Sequence, residues 1–135
     1  MTLPLPGTVY AKDFRQPGAQ DGTNKPLKLL QWNIERGYQL PGIIEELKHI
    51  DADIISLQEV DVGCERSGSV DTGVAIAEAL QLNYLFLCEF EELHSPLRDA
   101  KSQGGGVHGN AILTKFDVLE HGIVEHRLVA WALHA

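Results

Sequence analysis

The stretch Leu27–Gly37, LKLLQWNIERG, decides how the chain is read. Its first half is apolar almost throughout, which suits a strand covered on both faces. Its second half crowds Asn33, Glu35 and Arg36 together at the end of that strand. Polar groups at the tip of a buried strand are costly unless the tip meets something polar. The question is what this strand presents its Asn33 to.

The next segments supply a neighbour. Gln39–Ile50, QLPGIIEELKHI, puts Pro41 in a first helical turn and repeats Ile43, Ile44, Leu47 and Ile50 at helical spacing. Asp51–Val60, DADIISLQEV, is a second apolar strand that also ends in polar residues. A helical crossover between two strands makes them parallel, so both polar tips fall on one edge of the sheet. Open α/β sheets bind ligands at that edge. Asn33 and Glu59 then lie side by side. A neutral amide beside a carboxylate is a partial shell for Mg2+, which takes one or two protein carboxylates and keeps water and substrate oxygens for its other positions. In that reading Glu59 supplies the fixed negative charge, and Asn33 ligates the cation or hydrogen-bonds a substrate oxygen. The alternative is that Asn33 closes a turn and Glu59 faces solvent, and spacing alone favours it, because polar strand ends are common; the flanking sequence weighs against it.

Beyond Val60, residues 61–69 (DVGCERSGS) read as a loop, and residues 70–80 (VDTGVAIAEAL) as a second helix with Asp71 as its N-cap. Residues 83–90 (NYLFLCEF) form a third strand rich in aromatic and branched side chains, and residues 109–114 (GNAILT) a short fourth. Between them, residues 91–108 make a long loop, charged at first and then glycine-rich. Residues 117–126 and 127–135 look like a hairpin-like pair of strands. Residues 1–26, rich in Pro, Gly, Asp, Asn and Gln, read as an irregular arm before a domain at 27–135. Strands that alternate with helices and then continue without them predict a mixed α/β sheet.

Three segments in this order, LLQWNIERG, ADIISLQEVD and HGNAILTKF, resemble the endonuclease/exonuclease/phosphatase family, the DNase I-like metal-dependent phosphoesterases. The resemblance places the family's strand-end Asn on Asn33 and its metal-binding Glu on Glu59. It implies a four-layer α/β/β/α sandwich of which this chain corresponds to one half. It also implies a divalent cation, Mg2+ or alternatively Mn2+, and hydrolysis of a phosphate ester by in-line attack of water, with charge on the phosphoryl oxygens stabilised by the metal and a His. The family's Asp-x-Asn and Ser-Asp-His motifs, which come later in such domains, are not found in residues 37–135. The expectation is therefore an N-terminal portion of the domain, with a non-catalytic interaction module as the alternative. A half-sandwich of this kind would self-associate through its exposed sheet face.

Other features narrow the options. The net charge of -8 argues against broad binding to nucleic-acid backbones and leans towards a small or lipid phosphoester, although nucleic acid, inositol phosphate and phospholipid all stay open as substrates. Arg66, in the loop after Glu59, is a candidate phosphate contact because its fork matches phosphoryl oxygens. Asn110 is a candidate substrate-side residue, with a hydrogen bond at the floor of the site as its preferred role. Gln103–Asn110, QGGGVHGN, lacks the spacing of a phosphate-binding P-loop and reads as a flexible loop. His108, His121, His126 and His134 fit no zinc spacing. Cys64 and Cys88 form no Cys-x-x-Cys pair and read as reduced thiols, and Trp32 reads as core. The start of the chain lacks a basic n-region, and no apolar run is long enough to span a bilayer, so the expected location is the cytoplasm, with the nucleus as the alternative.

Overall fold

The computed structural model describes residues 1–19 and 25–126. Strand β1 covers Val9–Asp13, β2 Leu29–Asn33, β3 Ile54–Val62, β4 Asn83–Glu92 and β5 Gly106–Thr114, while helix α1 covers Leu40–Ile50 and α2 Thr72–Leu80. The five strands make one sheet in the order β1-β4-β5-β3-β2. Among the described residues only β2 and β3 are parallel, in register from Leu29↔Ile54 to Asn33↔Gln58, and the other pairs are antiparallel. The sheet is mixed and carries two helices, as the alternation of strands and helices along the chain predicts.

Local chemistry explains the helices. Proline opens α1, and its last turn ends on Asp51 in a left-handed conformation that returns a hydrogen bond to Leu47. The Asp71 carboxylate caps α2 by accepting from the Val74 amide at 2.9 Å. Both helices lie on one face of the sheet. Their Ile43, Leu47, Ile76 and Ala77 meet Ile55, Leu57, Tyr84, Phe86 and Leu113 from the strands in a single buried core. Trp32 packs partly buried against that core, and Cys64 and Cys88 are buried free thiols. Burial pushes the Cys64 thiol up to about 11, helped by the nearby Asp61. No helix among the described residues is long and apolar enough to cross a membrane.

Three expectations need correction. The arm at residues 1–26 is not wholly irregular, because β1 pairs with β4 from Val9↔Leu87 to Asp13↔Asn83. An edge strand has one neighbour and one solvated side, so its residues need no apolar pattern. Arg15 clamps this strand by bonding Asp13, Asp117 and the Lys115 carbonyl. Second, residues 117–126 form no strand, and 127–135 lie outside the described residues. Third, β5 starts at Gly106, inside the stretch read as a flexible loop. Gly106 is needed there for close packing, since a Cβ would be driven into the Val62 carbonyl oxygen. The Gln103 side chain pins the preceding loop by donating to the Ser95 carbonyl at 2.7 Å and accepting from the Ser95 amide at 2.9 Å.

Candidate functional site

The parallel register brings the two polar tips together. Asn33 sits directly opposite Gln58, and the Ile34 amide donates to the Gln58 carbonyl at 3.1 Å. Glu59 is the next residue, so it shares the sheet edge with Asn33. The Asn33 Oδ1 accepts from the Glu35 amide at 3.0 Å, closing a tight turn at the strand end. That bond fixes the side chain while leaving its NH2 group and a second oxygen lone pair for another partner.

This edge holds an unusual backbone. Glu35 and Arg36 have φ of 47° and 62°, and Glu59 has φ of 55°. Side chains rarely adopt this left-handed region, and each such residue costs on the order of 1 kcal/mol or more. Glu59 reaches it in a β-bulge, where the β3–β5 register shifts between Leu57 and Val60. Bulges re-aim side chains at sheet ends, and glycine commonly fills their left-handed position. A glutamate there holds a carboxylate where the backbone would favour none. Gly37 (φ 78°) then brings the loop hard against α2, since a Cβ on it would meet Thr72 Cγ2 at 2.8 Å. Thr72 in turn donates to the Asp61 carbonyl at 2.6 Å.

Two residues past Glu59 lies a buried charge network that sequence reading did not find. Asp61 is fully buried and receives Arg66 Nε at 2.8 Å and Nη2 at 2.9 Å. Ser67 Oγ donates to it at 3.1 Å, and His108 Nδ1 lies 2.7 Å from its other oxygen. Burial acts to raise the Asp61 pKa, but the bonds from Arg66, His108 and Ser67 outweigh it and hold the carboxyl at about 2. The second nitrogen of Arg66 also reaches Glu92 at 3.2 Å. Arg66, expected as a phosphate contact, is therefore almost wholly buried with its fork filled by Asp61. His108, expected in a loop, is buried on β5, paired across the sheet with Asp61 and stacked on Phe90. Nothing in the sequence sets the β3–β5 register that joins them.

Asn110 lies on the sheet face opposite the helices. With Ser56, Gln58, Leu85, Leu87 and Ile112 it lines a cleft of about 340 Å³. A hydrogen-bonded ladder crosses that face, with Gln31 Nε2 donating to Gln58 at 2.9 Å and Gln58 donating to Ser56 at 2.9 Å. Among the described residues no group of three or more His, Cys, Asp or Glu side chains is placed to hold a metal. A single carboxylate with amide oxygens fits a hard cation that keeps most of its own water, and does not fit a closed protein cage.

The family model described as the endonuclease/exonuclease/phosphatase family matches residues 30–134. No curated protein and no solved structure matches the chain.

Proposed function

Since the chain belongs to the endonuclease/exonuclease/phosphatase family, whose members are generally metal-dependent phosphoesterases, we propose that its Asn33–Glu59 edge is the metal- and substrate-facing part of a phosphoesterase site. The observation that carries this reading is the left-handed Glu59 in a bulge beside Asn33. Mg2+ or Mn2+, when bound, would polarise the phosphoryl group as a Lewis acid. Glu59 supplies the carboxylate that holds the cation. Asn33, fixed by its bond from the Glu35 amide, offers its free NH2 or oxygen to a substrate oxygen. Asn110 presents an amide from the sheet face that runs up to this edge. The net charge of -8 favours a small or lipid phosphoester over a long nucleic acid.

Mn2+ added to the 15N-labelled chain tests the site. It is expected to broaden the amides around Asn33 and Glu59 first, and Glu59→Gln is expected to remove that effect. Broadening that is unchanged in Glu59→Gln, or centred elsewhere, overturns the assignment.

A second reading has its own observation. Ile112 is 50% exposed on the open face of the sheet, beside the half-buried Leu85 and Leu87. That face supports self-association, and size-exclusion chromatography coupled to light scattering reads it. A monomer at high micromolar concentration counts against it.

A further inference from the structure

We infer that His108 is a phosphate-contacting residue of the same edge, held in place by Asp61 and Arg66. This rests on the phosphoesterase reading above and adds a residue to it. The first observation is positional. Val60 pairs with Gly109 and Asp61 with His108, so His108 stands one residue along from the position facing the end of the Glu59 bulge. Both neighbours of β5 hold its backbone, because His108 also pairs with Phe90 on β4.

The second observation concerns the two ring nitrogens. Nδ1 is taken by Asp61 at 2.7 Å. No protein group among the described residues bonds Nε2. The buried side-chain nitrogen and oxygen atoms without a partner are Arg36 Nε and Tyr84 Oη. Nε2 is in neither class, and the His108 side chain keeps 10% of its surface, so this nitrogen is not sealed off. A carboxylate that accepts from Nδ1–H fixes both the tautomer and the direction of the ring, and leaves Nε2 as the working nitrogen.

The third observation is how firmly that carboxylate is held. Asp61 is fully buried and paired through both oxygens with the Arg66 fork, and Ser67 adds a further bond. Phe90 covers one face of the imidazole at a ring separation of 5.1 Å. A histidine serving only to fill space needs neither a buried ion pair behind it nor an open outer nitrogen. Nε2 meets an oxygen of the phosphoryl group in a hydrogen bond whose proton comes from the ring or from a P–OH. Asp61 and Arg66 are positioning residues that act through it. This also accounts for Arg66, whose contribution to phosphate recognition is indirect.

The test uses the whole chain with Mg2+ and inorganic phosphate, followed by backbone amide shifts and long-range proton–nitrogen correlation of the histidine rings. The free protein is expected to show His108 protonated on Nδ1. Phosphate is expected to shift its Nε2 resonance along a saturating curve shared with the Asn33 and Glu59 amides. His108→Asn keeps a donor to Asp61 and removes the outer nitrogen, so it is expected to fold and to weaken phosphate by about tenfold or more. If the Asn33 and Glu59 amides titrate while the wild-type Nε2 signal stays still, the inference is overturned and the phosphoesterase reading survives. If Mg2+ and phosphate move neither amide, both are overturned. The wild-type ring signal decides even where the Asn variant fails to fold.

Discussion

Replacing Glu59 with glycine separates a functional carboxylate from a structural one. Glu59 sits at φ 55° in the β3 bulge, where a non-glycine residue carries a penalty of about 1–2 kcal/mol. Glycine removes that penalty but makes the unfolded chain more flexible, which costs about 0.4–1 kcal/mol. Among the described residues the Glu59 side chain has no hydrogen-bond or ion-pair partner, so little else is lost. The balance predicts that Glu59→Gly is as stable as the wild type or up to about 1.6 kcal/mol more stable, a rise of up to several degrees in Tm. Urea denaturation in EDTA measures this without any contribution from bound cation. Calorimetric titration with Mn2+ is expected to give heat for the wild type and none for the variant. Glu59→Gln keeps the left-handed penalty and should lose the heat without gaining stability. A loss of more than about 1 kcal/mol in Glu59→Gly would refute the reasoning, because the carboxylate would then be holding the fold together.

Further outcomes follow from other groups. Asp61→Ala empties the Arg66 fork and leaves that buried guanidinium with Glu92 alone, and is expected to cost about 3–5 kcal/mol in urea denaturation. The Asp61 carboxyl is held at about 2 against an ordinary 3.8. Its contribution to stability is thus fully present above the ordinary value and is lost as pH falls towards and through 2. Asp61→Asn should show a shallower acid decline in EDTA, and an unchanged decline would rule out this source. Tyr84→Phe removes a buried hydroxyl that has no hydrogen-bond partner among the described residues, and is expected to leave stability unchanged or raise it by about 1 kcal/mol in thermal denaturation. A clear loss would mean that the hydroxyl is satisfied. Gly106→Ala forces a methyl group into the Val62 carbonyl and is expected to lower Tm by several degrees, with a shift in the β5 amide spectrum.

The parts of the molecule legible from sequence are those governed by neighbours along the chain. Proline at the start of α1, Asp71 ahead of α2 and the apolar runs of β2 and β3 each carry their own local reason, and the crossover rule then places Asn33 beside Gln58 and Glu59. What escaped depends on partners far along the chain. Val9–Asp13 is a strand only because β4 supplies its one neighbour. Asp61 looked like the first residue of a loop, and His108 like the last residue of another. Their contact exists because β5 inserts antiparallel between β3 and β4 in one particular register. Glu59 follows Gln58, the residue opposite Asn33, but the bulge that sets its direction has no glycine to mark it.

The strand order has a consequence for how the chain is made. β1 and β4 form one side of the sheet and β3 and β2 the other, and among the described strands β5 carries the hydrogen bonds that join them. It is also the last of the five strands to leave the ribosome. At about 5–20 residues per second, the nascent chain spends seconds with two separate ribbons and a carboxylate at residue 61 that has Arg66 nearby but not yet His108. A ribosome stalled before residue 106 would hold a chain with no keystone, and that is the stage at which a holding chaperone has most to bind.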